Sequence, residues 1–245
     1  MTILFNKKVE GFCLRGNVMG MSKNLLLHFF KGIGAGIAIG IGGFFFVLMS
    51  YALPGEWGKV LGSLLFGIGL LTVCTFSLSL YTGKIGLIYE GKKNLAFYLS
   101  LPVMLMGNAI GAVGLGMALH FALINSDMVP AINATVASRL VFNDFPDYLS
   151  LMVRSFLCGF CVYMSVKFFN FAPVKPLGIF GLFLFVFIFV YAGFQHCIAN
   201  MFYFGLGGCY EGFAFLNVLL CVIFNSLGPI AGVALFKIIP GTKGK

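Results

Sequence analysis

Charge is what this sequence has least of. Aspartate and glutamate number seven in 245 residues, and charged residues of both signs make up 9%, against about 25% in soluble domains. From Pro176 to Tyr210 there is none at all. So little charge excludes a sizeable soluble domain. The lack of acid in the apolar centre leaves a cation without a formal partner there. Basic runs are missing too: the net charge of +9 is spread thinly over loops and ends, which argues against a nucleic-acid surface. The first 26 residues lack an apolar core and a small-residue cleavage site, so they do not read as a signal peptide. The seven cysteines fall mostly in apolar runs and read as small buried residues. Cys158 and Cys161 have metal-like spacing, but a lone pair in a Phe-rich helix does not make a ligand set. No metal or cofactor is expected.

What is abundant is apolar. Hydrophobic residues make up 60% of the chain, with a mean hydropathy of +1.02. Glycine, at 33 residues, suits close helix contact in lipid. The chain reads as an all-α polytopic membrane protein. Six apolar segments are expected at 27–53, 58–90, 94–124, 149–172, 177–205 and 211–239, with a charged loop over 125–148. A six-helix channel domain over 27–239 would follow a 1–26 segment and precede a 240–245 tail. Thirteen of the 16 lysines and arginines fall on the side of the termini, and only Lys59, Arg139 and Arg154 on the other. The positive-inside rule then places both termini in the cytoplasm; a bacterial cytoplasmic membrane is the expected location.

Two segments are irregular. The second contains "TVCTFSLSLYTGK" (72–84) and the fifth "AGFQHCIAN" (192–200). Both read as helices broken near the midplane, which is tolerated only where the backbone is buried or lines a cavity. The segment after each break carries Asn-x-x-Gly, at Asn108 and at Asn225. Two three-segment halves with matching breaks point to an inverted repeat and a site between the halves.

Half-helices starting near Thr82–Gly83 and near His196 would aim N–H groups at the midplane. His196 adds an imidazole donor. Asn200, one turn on, could hold the ring, and Thr82 adds a hydroxyl. Lys84 adds a full positive charge beside the first break. This set favours a small anion. His28 and His120 lack such surroundings and are expected at the membrane interface.

"GFQHCIANM" (193–201) closely resembles the GFEHSIANM motif of the formate/nitrite transporter family, and "LYTGK" (80–84) its LFTGN motif. "GNAIGA" (107–112) and "FNSLG" (224–228) match its third and sixth helices. The resemblance runs from about residue 24 to 240. It implies an aquaporin-like homopentamer in the lipid bilayer, with one pore per protomer for small monovalent anions such as HS⁻, formate or nitrite, or for their acids. Carried over by position, His196 is the central histidine, Asn200 its partner and Thr82 the loop threonine. Leu80, Leu70, Phe66 and Phe189 are the apolar constrictions. Two positions depart: Gln195 stands for the family's Glu, and Lys84 for its Asn. Both make the pathway more electropositive and resemble the hydrosulfide-channel branch. A neutral-solute pore would require Asn-Pro-Ala loops, which are missing. An intramembrane enzyme or redox site at His196–Cys197 lacks a supporting carboxylate, and adjacent helical residues point about 100° apart. The chain is expected not to be an enzyme.

Overall fold

Where backbone leaves a helix inside lipid, every freed N–H and C=O needs a protein partner. That demand organises the fold. The computed structural model describes residues 2–91 and 93–238, with side chains from residue 22 onward. The elements in order are α1 Thr2–Ala52, α2 Glu56–Thr75, α3 Tyr81–Lys84 running into a 3-10 turn Ile85–Ile88, α4 Leu95–Leu123, α5 Val129–Ala137, α6 Phe145–Phe171, α7 Lys175–Tyr191, α8 Cys197–Leu206 and α9 Gly212–Ile238. The expected 240–245 tail lies outside the described residues, as do the side chains of most of the expected 1–26 segment. Among the described residues five stretches are long and apolar enough to cross a membrane: Ser22–Ala52, Glu56–Thr75, Leu95–Leu123, Phe145–Phe171 and Gly212–Ile238. The expected fifth segment, read as broken near its middle, consists of two shorter apolar helices, α7 and α8.

Two expectations change. The 125–148 stretch, read as a loop, holds α5, whose Ile132, Thr135 and Val136 are buried while Pro130 occupies its first turn. Its nine residues are too short to register as a span. The first half-helix starts at Tyr81 rather than at Thr82–Gly83, with Leu80 extended before it.

Helices α1 and α4 meet backbone to backbone, as do α6 and α9. A β-carbon at Gly36 would collide with the Asn108 carbonyl, and one at Gly159 with the Asn225 carbonyl. Small residues permit such approach where lipid supplies no hydrophobic drive. Helix α2 runs antiparallel to α7, with Phe66 against Phe189 and Lys59 over the Tyr191 ring, 4.7 Å from its centre. The short pieces cross over. Helix α8 packs on α4 and α1, while α3 and its 3-10 turn pack on α6 and α9.

The two breaks are built alike. Helix α2 ends with the Leu78 N–H donating to Val73 O at 2.9 Å and the Ser77 N–H to Cys74 O at 3.4 Å. Helix α7 ends with the Phe194 N–H donating to Phe189 O at 2.8 Å and the Gly193 N–H to Val190 O at 3.0 Å. Both are Schellman caps, with a left-handed residue at Ser77 (φ 51) and Gly193 (φ 70). An asparagine then clamps each break. Asn108 Oδ1 accepts from the Tyr81 N–H at 2.8 Å, and its Nδ2 donates to Ser79 O at 2.8 Å and Gly32 O at 2.9 Å. Asn225 Oδ1 accepts from the Cys197 N–H at 2.9 Å, and its Nδ2 donates to Gln195 O at 2.9 Å and Ser155 O at 2.6 Å.

Replacing either asparagine by leucine orphans one donor, the Tyr81 or Cys197 N–H, and one acceptor, the Ser79 or Gln195 carbonyl, at full burial. At about 1–3 kcal/mol for each, Asn108→Leu and Asn225→Leu should each lower the thermal melting temperature in detergent sharply. At the left-handed positions, Gly193→Ala should lower the melting temperature and Ser77→Gly raise it, each by about 1 kcal/mol of stability. Equal and small shifts for all four variants would contradict the clamp.

Candidate functional site

The two breaks meet at one contact: Thr82 Oγ1 lies 3.0 Å from His196 Nε2, with both residues buried. His196 is the N-cap of α8. Its Nδ1 accepts from the Ala199 N–H at 3.2 Å. A ring nitrogen that accepts carries no proton, so these two contacts assign the neutral Nε2–H tautomer. Nε2–H then donates to Thr82 Oγ1. The Thr82 proton has no protein acceptor among the described residues and is available to a passing ion.

An apolar waist surrounds this contact. The Phe66 and Phe189 rings meet edge to face with centroids 5.8 Å apart, and Phe189 lies 6.1 Å from the imidazole. Leu70, one turn deeper on α2, and Leu80, just before α3, are buried in the same apolar core. Lys84 ends α3, half-buried. It lies near His28, as does Lys31.

On the side away from the start of α1, a cavity of about 450 Å³ runs from exposed Glu56 down to Phe66, Phe189 and His196. Lys59, Arg139 and Arg154, the three bases expected on this side, all line it. The mouth therefore carries three positive charges against the one negative charge of Glu56. Thr82, Leu70 and Leu80 are not on its wall; they lie beyond the Phe66–Phe189 pair.

Asn200 does not hold the imidazole. Its Nδ2 donates to Gln195 Oε1 and to Asn217 Oδ1, both at 2.8 Å. Its Oδ1 accepts from Arg139 Nε at 3.2 Å. The Ala199 N–H orients the ring instead, because an N-cap side chain folds back on its own helix. Arg139 also donates through Nη1 to Thr135 O and to Ser138 Oγ, and it stacks 4.0 Å over the Tyr203 ring. The Arg139 carbonyl accepts from Asn217 Nδ2 at 2.8 Å, closing a ring through Asn200. Sequence reading missed Arg139 and Asn217. One is among only three bases on its side, and the other is an asparagine in an apolar helix. His28, expected at the interface, bonds Ser79 Oγ at 2.9 Å inside the first break. His120 packs at the end of α8, with Nδ1 2.9 Å from Leu206 O. No group of three or more His, Cys, Asp or Glu side chains able to hold a metal occurs among the described residues.

Comparison with known proteins agrees with this geometry. A sequence model described as formate/nitrite transporter matches residues 16–240. The formate channel FocA of Haemophilus influenzae is 25% identical over 203 residues, covering 76% of this chain and 68% of that protein. Among solved structures, a pentameric formate channel with formate bound superimposes with a TM-score of 0.70 at 25% identity, over 88% of this chain and 95% of that one. An ion channel of the same family gives a TM-score of 0.76 at 18% identity, over 89% and 92% of the two chains; at that identity the likeness is one of fold.

Phe66→Ala should remove one wall of the waist and join the cavity to the space around Thr82. Osmotic water permeability in liposomes should rise, at a stability cost of about 3 kcal/mol for the lost ring. Unchanged permeability would place the barrier elsewhere.

Proposed function

Because the chain belongs to the formate/nitrite transporter family, we propose that it passes small monovalent weak-acid anions, with hydrosulfide its preferred substrate. One observation carries the reading: a donor pair, Thr82 and neutral His196, sits inside an apolar waist between two electropositive ends. A bare ion in such a constriction faces an idealised Born cost on the order of 20 kcal/mol. Lys59, Arg139 and Arg154 on one side, and Lys84 on the other, raise the local anion concentration. The ion then sheds water between Phe66 and Phe189 and accepts the Thr82 O–H, whose oxygen is held by His196 Nε2–H. Protonating His196 would require breaking its Nδ1 bond to the Ala199 N–H, so the ring works as a donor that polarises Thr82. A weak acid lowers its barrier further by arriving with its own proton.

Leu70 and Leu80 form the second constriction of this route. The matched Schellman caps and asparagine clamps support two inverted halves of three spans each, with α2–α3 and α7–α8 as the broken second and fifth spans. The pentameric formate channel among its structural relatives supports a homopentamer. The thirteen-to-three distribution of bases supports cytoplasmic termini in a bacterial cytoplasmic membrane.

Hydrosulfide is favoured by Gln195 and Lys84. Gln195 replaces a charge beside His196 with a neutral amide that bonds Asn200, and Lys84 adds a cation beyond Leu80. Formate is the second reading, favoured by the formate channels among the relatives. Stopped-flow uptake of hydrosulfide, formate and nitrite into liposomes separates them. Hydrosulfide should enter fastest, and the double replacement Gln195→Glu/Lys84→Asn should shift preference toward formate. If hydrosulfide is slower than both other anions, formate becomes the substrate. If none of the three outpaces protein-free liposomes, the channel reading fails.

A further inference from the structure

Arg154 adds charge to the mouth, but nothing bonded to it fixes it there. It is half-buried on α6 and, among the described residues, none of its five N–H donors has a partner. Its Nη2 lies beside the Gly193 turn. Arg139 is close enough to repel it and is fixed by its bonds to Asn200, Thr135 and Ser138 and by the Tyr203 ring. Two like charges held this close repel unless a counter-ion joins them. Asp147 does not serve. It is near, but the single ion pair among the described residues is Lys167–Glu90, and Asp147 Oδ2 instead accepts from the Asn143 N–H at 2.8 Å.

Beside the main cavity lies a second one of about 110 Å³. Arg139, Arg154, Gln195 and Ser138 line both, and Asp147 lines the second alone, so its wall carries two positive charges and one negative. The space is several times the roughly 10–15 Å³ that one water needs on this measure, enough for one tetrahedral oxyanion. Gln195 Nε2 is held only by a 3.5 Å contact to Gly193 O, so it can turn to a ligand.

We propose that Arg154, Arg139 and Gln195 form a side site in the mouth for a small divalent oxyanion of the sulfate or hydrogenphosphate type, and that its occupancy blocks the pore. Guanidinium forks match paired oxygens and two charges match a dianion; hydrosulfide offers neither. A dianion would need two protons to pass the waist uncharged, so it stays where it binds. The binding stands by itself, whereas the block rests on the channel reading above.

The test uses the purified protein in detergent, titrated with sulfate against chloride at matched ionic strength while thermal melting is followed. Sulfate should raise the melting temperature of the wild type saturably. Arg154→Gln should lose most of that rise, and Arg154→Lys, which keeps charge but not the fork, should keep only part. In liposomes, sulfate on the mouth side should slow formate uptake by the wild type over the same concentration range. Arg154→Gln should hold its own sulfate-free rate. Equal effects of sulfate and chloride, or an undiminished rise in Arg154→Gln, overturn the site. A sulfate-induced rise with undiminished uptake overturns the block. A rise in a protein that takes up no monovalent anion refutes the channel reading and leaves the site standing.

Discussion

Two asparagines hold this fold together at the points where it would otherwise fail. A chain that leaves helical geometry inside lipid exposes N–H and C=O groups that nothing else can satisfy. Asn108 and Asn225 each accept the first N–H of a short helix and donate to the carbonyl two residues before it, and to a neighbouring helix. The clamps need helices α1 and α4, and α6 and α9, in backbone contact, which is why Gly36 and Gly159 tolerate no β-carbon. They also set the height and direction of the residues just inside the breaks. Leu80 and His196 occupy the same place in the two clamps, each one residue before the clamped N–H. One half thus contributes an apolar side chain and the other an imidazole.

The same economy of polar groups governs the waist. His196 spends one ring nitrogen on its own helix and the other on Thr82, so it is neutral by construction. Formal charge is kept out of the centre and placed at the ends: Lys59, Arg139 and Arg154 in one mouth, Lys84 beyond Leu80. Under the proposed function, that arrangement attracts an anion without trapping it at the waist, as conduction requires. The ring through Arg139, Asn200 and Asn217 holds one of those charges in place with two buried amides.

Much of this was legible in the sequence because lipid makes polar residues expensive. The breaks, the pairing of each with a later asparagine, and the candidate pathway residues His196 and Thr82 stood out against an apolar background, whereas Phe66 was singled out only by the family resemblance. What was not legible depended on contacts across the chain. Asn200 is one turn from His196, which suggested a bond to the ring; the capping geometry instead turns the imidazole to the Ala199 N–H, and Asn200 faces Arg139. Helix α5 was hidden because nine residues bounded by charge read as a loop. The start of α3 shifted by one residue because nothing local shows that Asn108 would claim the Tyr81 N–H. His28 looked like an interfacial residue until the fold brought Ser79 to it.

The central claim is that the two halves meet in one functional unit, Thr82 with His196, at which the ion is selected. A double-mutant cycle on anion flux tests this most directly. Uptake rates into liposomes are compared for the wild type, Thr82→Val, His196→Leu and the double variant. If the pair acts as one donor, the double variant is no slower than the slower single variant. Losses that multiply across the two substitutions would mean that the residues act independently, and the account of the waist would be wrong.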